Sequence, residues 1–322
     1  MIAIVAIAAG AASALMFASI KSGALISLLL LYLAPLPLMV AALGWGPLVS
    51  AIGGIGASTV LGLLLGLNYG IPYAITVALP AWWLGHLVLL GRPIGNAASA
   101  GHDTAPPTPA LEWYPTGRIL LWIACIAIAM TAVTLLTYGS DAETIAATMK
   151  RGFLRFLQRN GIETTASTER GIEGLIAIAP GVAAIGAMMN PLINLWLAAK
   201  ITATSGRLNR PWPDLRSTAL PPMTLVALCV AIAFCFAGGL LAMFAQAAAA
   251  ALLMAYALVG FAVVHVLTLR LRSRPLLLGL LYALTLLFNW PIVALMGIIG
   301  LVDALFGLRE RFNRKPPPLP AA

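Results

Sequence analysis

Long apolar segments separated by short charged ones are the feature that most constrains this chain. Uncharged runs of about 20 residues recur along its whole length, and a helix needs about that length to cross a bilayer core of about 30 Å. Charged residues make up 9% of the sequence, against about 25% in an ordinary soluble domain. We therefore predict an all-α protein, a polytopic transmembrane helical bundle of about 8–10 spans.

The pattern gives about ten spans when the last apolar stretch, 275–308, is divided at Asn289-Trp290-Pro291. That stretch is either one long kinked helix or two short helices that break at this tripeptide. We favour two helices because the basic residues at 270–274 and in the C-terminal tail then lie on the same, cytoplasmic side of the membrane. Pro35 and Pro37 predict a break in the second span, since proline interrupts the hydrogen bonds of a helix. The preceding spans are expected at about 2–20, 23 into the forties, 47–67, 71–90, 118–138, 172–199, 223–246 and 247–269.

Basic residues determine the expected orientation. Most of the 19 Lys and Arg residues lie in the loops after the fourth, sixth and eighth predicted spans and in the C-terminal segment. Because cytoplasmic loops carry an excess of Lys and Arg, we predict a multi-pass inner-membrane protein with both termini in the cytoplasm. These loops also account for the net charge of +9, so we expect the lipid bilayer as a partner and no nucleic acid.

The chain leaves little room for a soluble domain. Its longest polar stretches are about 25–30 residues, which is shorter than an independent domain. We predict one transmembrane domain over 1–308, with a polar loop rich in Gly, Ala and Pro at about 91–117. A basic, proline-rich cytoplasmic tail is expected at 309–322.

The segment at about 140–160 has the pattern of an amphipathic helix. Ser140 and Glu143 have the spacing of a capping box at its start, and Asn160-Gly161 is a stop signal. Such a helix suits the membrane interface, and a gate or a partner-docking helix is the alternative. Its two faces are Ile145, Met149, Phe153, Phe156 and Leu157 on the apolar side, and Lys150, Arg151, Arg155, Gln158 and Arg159 on the basic side.

The strongest candidate for a ligand site is in the sixth span. Asn190 and Asn194 are four residues apart and share a helix face, and polar residues inside a span are costly enough to be candidate sites. Pro191 loosens the backbone beside them, as in the broken helices that line transporter sites. The alternative is structural, because such amides also form hydrogen bonds between packed helices.

His265 is the second candidate, in the eighth predicted span. A histidine at membrane depth can contact a ligand or carry a proton, and it can equally bond a neighbouring helix. Asp303 and Glu173 lie near span ends, where we expect water, Arg170 or Arg309 to reach them. We therefore do not predict either carboxylate to be buried.

Small residues at spacing four, Gly10, Ala14 and Ala18, form a ridge on the first span. Such ridges allow close helix packing, either inside the chain or against another subunit. The sequence contains no recognised catalytic motif and no Cys/His metal cluster, and its three cysteines lie within apolar runs. We predict no catalytic residues, no metal site and no cofactor.

Two stretches carry a family resemblance. Tyr32-Leu33-Ala34-Pro35-Leu36-Pro37-Leu38 leads to Ala41-Ala42-Leu43-Gly44-Trp45-Gly46, and Gly297-Ile298-Ile299-Gly300-Leu301-Val302-Asp303 precedes Arg309-Glu310-Arg311. With the span layout, they resemble the YybS-like family of predicted bacterial membrane proteins. That family is distantly similar to the substrate-binding (S) components of energy-coupling factor transporters. The resemblance implies a small-molecule ligand, and a membrane coupling subunit with an ATPase that docks on the Gly10, Ala14, Ala18 ridge.

These observations favour a solute-binding or transport component without its own energy module, with Asn190, Asn194 and His265 as ligand-binding residues. The alternative is a non-transport membrane scaffold or assembly factor, which would depend on exposed segments such as 140–160 and the tail. A membrane-embedded enzyme is the third hypothesis. A ligand site would make the intramembrane amides sensitive to substitution, whereas a scaffold would make the loops sensitive.

Overall fold

A computed structural model of the chain describes residues 1–94, 110–161 and 165–313, and its regular structure is almost entirely helical. Seven helical segments are long and apolar enough to cross a membrane, and three shorter apolar helices accompany them within the described residues. The prediction of an all-α polytopic bundle is therefore confirmed. The seven are Ile2–Ser22, Leu25–Trp45, Pro47–Leu65, Leu67–Leu89, Thr116–Tyr138, Thr168–Thr204 and Gly239–Leu267; the shorter ones are Met223–Phe234, Arg274–Phe288 and Trp290–Phe306.

The chain divides into two compact units. One comprises Met1–Ile123 and Met189–Pro213, and the other comprises Ala124–Met188 and Asp214–Ala322. The prediction that residues 1–308 form a single transmembrane domain stays a prediction. So does the cytoplasmic tail, of which residues 314–322 lie outside the described part of the chain.

The first unit is built from short and long helices in sequence order. Its helices are α1 (Ile2–Ala18), α2 (Leu25–Leu33), α3 (Pro35–Trp45), α4 (Pro47–Leu65), α5 (Leu67–Tyr73) and α6 (Leu79–Leu89), followed by part of α7 (Thr116–Tyr138) and of α9 (Ala166–Thr204). α1 packs against α3 and α4, and α3 in turn packs against α4 and α6. The fully buried side chains of this unit include Leu38, Met39 and Tyr73.

A small antiparallel hairpin lies at the base of the predicted polar loop. β1 (Gly91–Ile94) pairs with β2 (Ala110–Trp113), and Arg92 forms an ion pair with Glu112 at 2.5 Å. The predicted loop therefore begins and ends in strands that the sequence did not suggest. Residues 95–109, between the strands, lie outside the described residues.

The second unit is organised around α11 (Gly239–Leu267). α11 packs most extensively against α13 (Trp290–Phe306), and also against α8 (Ala142–Arg159), α10 (Met223–Phe234) and α14 (Leu308–Asn313). α12 (Arg274–Phe288) precedes α13, and the break between them falls at Asn289, as the Asn289-Trp290-Pro291 sequence predicted.

Exposed side chains of the membrane segments are largely apolar, for example Ile7, Leu63 and Leu286, as contact with lipid requires.

The predicted boundary between the seventh and eighth spans, at residues 246 and 247, is wrong. α10 ends at Phe234, and α11 is one continuous helix that includes both residues. Gly238 and Gly239 have φ angles of +74° and +62°, which only glycine adopts readily, so the chain turns there. The first helix of this pair is about 18 Å long, shorter than a bilayer core.

The amphipathic helix is present as α8, with one difference at its start. Asp141, not Ser140, is the N-cap, and its carboxylate accepts a hydrogen bond from the Thr144 N–H at 2.8 Å. A carboxylate satisfies this donor better than a hydroxyl because it also interacts with the helix dipole. The predicted stop is confirmed: α8 ends at Arg159, and Gly161 has a φ of +69°.

Candidate functional site

The proline break between α2 and α3 is surrounded by polar side chains from other helices. Ser13 Oγ of α1 donates to the Ala34 carbonyl oxygen at 2.6 Å, and Tyr73 Oη of α5 donates to Ser13 Oγ at 2.8 Å. Both side chains are fully buried. Because buried backbone carbonyls must be paired, these hydroxyls stabilise the break that the prolines create.

Asn194 of α9, which is 162 positions away from Tyr32 in the sequence, contacts the same break. Its Nδ2 donates to the Tyr32 carbonyl oxygen at 2.8 Å, and the side chain is only 1% exposed. Nδ2 also lies 2.9 Å from the Asn190 carbonyl oxygen and 2.8 Å from Asn190 Oδ1. The donor side of the Asn194 amide is therefore saturated.

The acceptor side of the same amide has no donor. Asn194 Oδ1 is buried and has no hydrogen-bond partner among the residues that the structure describes. Leaving a buried acceptor unpaired costs about 1–3 kcal/mol. We refer to Asn190, Asn194, Ser13, Tyr73 and the Tyr32–Ala34 backbone as the break cluster. The break cluster contains both asparagines of the predicted ligand site. That they bind a ligand stays a prediction.

His265 lies in the second unit and has its own partners. Its Nδ1 is 2.8 Å from the Phe261 carbonyl oxygen, which can only accept, so Nδ1 carries the hydrogen. Nε2 then accepts from Tyr282 Oη at 3.3 Å, and the Tyr282 ring stacks on Phe261. These contacts are of the kind that joins neighbouring helices, here α11 and α12, and a ligand role for His265 stays a prediction.

The Gly10 end of the small-residue ridge packs inside the chain. A Cβ added at Gly10 would overlap the backbone of Gly53, and Ala14 is 8% exposed. Gly10 thus allows α1 and α4 to approach backbone to backbone. Ala18 is half-buried, and docking of another subunit on this ridge stays a prediction.

A second close helix pair involves the C-terminal stretch that carried the family resemblance. A Cβ added at Gly300 would overlap the Tyr256 carbonyl, and one at Gly260 would overlap that of Met296. The sequence signal for this contact was the spacing of Gly297 and Gly300. That spacing does not identify α11 as the helix against which they pack.

Asp303 is the last residue of the same stretch. It is buried, so the prediction that its carboxylate is not buried is wrong. Arg309 donates from Nε to Asp303 Oδ2 at 2.9 Å, and the Arg309 N–H donates to Oδ1 at 3.0 Å. The guanidinium also donates to the carbonyl oxygens of Arg216 and Thr218. Helix α13 and the 214–218 segment are therefore joined by one arginine, and the prediction that Arg309 reaches Asp303 is confirmed.

A cavity of about 500 Å³ lies between α8, α9 and α11 in the second unit. Lys150 Nζ and Glu173 Oε1 line it and form an ion pair at 2.8 Å, so Lys150, not Arg170, is the partner of Glu173. Lys150 donates a hydrogen bond to the Glu173 carboxylate, and this bond raises the pKa of Lys150. Gln246 also lines this cavity, and its Oε1 is buried without a donor in the described parts of the chain. Sequence reasoning missed Gln246, although it is an amide within an apolar segment.

Comparison with known proteins gives one positive result. The family model described as "Predicted membrane protein (DUF2232)" matches residues 10–304, which is most of the chain. No curated protein and no solved structure matches it. Among the described residues, no group of three or more His, Cys, Asp or Glu side chains is arranged to hold a metal ion.

Proposed function

The chain belongs to the DUF2232 family of predicted membrane proteins, and from that premise we propose that it is a small-solute-binding component of a transport system. It lacks its own energy module, and a separate membrane coupling subunit with an ATPase supplies the energy. It is a multi-pass protein of the bacterial inner membrane with both termini in the cytoplasm, the side that its basic loops favour. The resemblance to the YybS-like family and to S components is part of this proposal.

One observation carries the proposal: the side-chain carbonyl oxygen of Asn194 is buried in a membrane-spanning helix, beside a second helix that is broken, and no donor reaches it from the described residues. Broken helices with polar groups at membrane depth are characteristic of solute sites in transporters. The Asn190 side chain and the Tyr32 carbonyl hold the Asn194 amide so that only Oδ1 lacks a partner. A solute that carries an N–H or O–H group would supply the missing donor.

The test compares loss of the Asn194 amide with loss of the neighbouring side chain that holds it. Asn194→Leu removes both the donor and the acceptor, whereas Asn190→Leu removes one acceptor for Asn194 Nδ2 and leaves Asn194 Oδ1 in place. We expect both variants to lower the unfolding temperature in detergent and only Asn194→Leu to lose the solute that co-purifies with the protein. If solute retention follows stability in both variants, the cluster is structural and the proposal fails.

The scaffold hypothesis also has an observation in its favour. Phe156 of α8 is 60% exposed and Phe153 is 38% exposed, on a helix that also exposes Arg151 and Arg155. An exposed aromatic and basic surface suits either a membrane interface or a protein partner. Replacing Phe156 with Ser leaves a solute-binding function intact and impairs a scaffold, so the phenotype of this variant discriminates between the hypotheses.

A further inference from the structure

The cavity between α8, α9 and α11, here called the α8 cavity, has mostly small apolar walls. Its volume of about 500 Å³ falls within the range of small-molecule sites, about 300–1,000 Å³. Alanines from all three helices line it, including Ala146, Ala177 and Ala242. Walls of this kind accept the compact apolar part of a ligand and leave recognition to the few polar groups.

Those polar groups include one charge of each sign. Lys150 and Glu173 pair across the cavity wall, and their side chains are 34% and 62% exposed, so both can exchange partners. A ligand with a single charge would satisfy one of them and leave the other unpaired. A ligand with an ammonium and an anionic group would satisfy both, because each charge finds its complement.

Gln246 adds a requirement for a hydrogen-bond donor. Its Oε1 has no donor within the described residues, and an amide oxygen can only accept. A primary ammonium carries three N–H donors and can serve Gln246 and Glu173 together, whereas a quaternary ammonium carries none. On the anionic side, the Lys150 ammonium supplies the positive charge.

We propose that the α8 cavity binds a primary-ammonium zwitterion, such as a phosphoethanolamine group that is free or forms the headgroup of a phospholipid. The cavity lies wholly in the second unit and shares no residue with the break cluster, so this inference stands independently of the proposed solute function. Free phosphoethanolamine and the phospholipid headgroup offer the same charges and the same hydrogen-bond donors. They differ in that only the phospholipid carries acyl chains.

Native mass spectrometry of the full-length, delipidated protein in detergent tests this directly. The probes are phosphatidylethanolamine and phosphatidylcholine with identical acyl chains, and free phosphoethanolamine as competitor. We expect wild type to retain the ethanolamine lipid about tenfold better than the choline lipid, because only the ethanolamine headgroup can donate a charged hydrogen bond. Gln246→Leu should abolish this preference, and Gln158→Leu, on the exposed side of α8, should preserve it.

Glu173→Gln gives a second variant that changes only the charge of an exposed side chain, in case Gln246→Leu does not fold. It should also remove the preference. Competition by free phosphoethanolamine would support a soluble ligand, and retention of the preference without competition would support a lipid. Equal retention of the two lipids by wild type, or an unchanged preference in both Gln246→Leu and Glu173→Gln, would overturn the proposal.

Discussion

Replacing Arg309 with Met removes the guanidinium that joins α13 to the 214–218 segment. The substitution keeps an unbranched apolar stem and deletes the side-chain hydrogen bonds to Asp303, Arg216 and Thr218. Asp303 is then left with a buried carboxylate and no cationic partner. We expect a large loss of stability from this single change.

The magnitude follows from the burial of the pair. The side chains of Arg309 and Asp303 are 14% and 6% exposed, so water screens their attraction only weakly. Removing one partner of a buried ion pair costs about 3–5 kcal/mol. The backbone N–H of residue 309, at 3.0 Å from Asp303 Oδ1, survives the substitution. We therefore expect a loss near the lower limit, about 3 kcal/mol.

Equilibrium unfolding in mixed micelles measures this loss, with Arg311→Met, an exposed arginine of the same helix, as the matched control. A double variant with Asp303→Leu and Arg309→Met should recover most of the stability, because an apolar pair replaces a buried ionic one at little cost. A loss below about 0.5 kcal/mol for Arg309→Met is what an exposed ion pair contributes, and it would show that this pair is not a buried one. Additive effects of the Asp303 and Arg309 substitutions would show that the two side chains do not interact.

Three further predictions test other parts of the structure. Gly300→Ala should separate α11 from α13 and lower the unfolding temperature measured in detergent, while Gly279→Ala, with open space around it, should not. Tyr73→Phe, which deletes the hydroxyl that donates to Ser13, should destabilise the protein by about 1 kcal/mol in the same assay. Hydrogen bonds from Thr144 lower the pKa of Asp141, so its capping of α8 is present above the usual Asp pKa and is lost as the pH falls through the lowered value. The hydrogen-exchange protection factors of α8, which correct for the intrinsic pH dependence of exchange, should therefore fall at that acid pH and should already be low at neutral pH in Asp141→Ala.

Much of the fold could be predicted from the sequence because each span carries its own signal. Runs of apolar residues of bilayer length mark the spans, and proline or Asn-Gly sequences mark breaks at Pro35, Asn289 and Gly161. The break at Gly238 was missed because the surrounding residues are uniformly apolar. A pair of glycines in such a run does not by itself reveal a positive φ angle.

The sites were less predictable because they depend on which helices meet. The pairing of Asn190 with Asn194 follows from helical spacing, but the contact of Asn194 with the Tyr32 carbonyl joins residues 162 positions apart. Gln246 and Lys150 come together only through the packing of α8 on α11. Asp303 looked exposed at a span end, and its burial depends on the arginine of the next helix and on a distant loop.

Native mass spectrometry of the protein, gently extracted from its own membrane, shows whether it binds a solute. Asn194→Leu, extracted in the same way, is the comparison. We expect a small molecule bound to wild type and absent from the variant, with a coupling subunit and an ATPase in the co-purified material. Wild-type protein that carries no small molecule and co-purifies with unrelated protein factors would exclude solute binding and favour the scaffold.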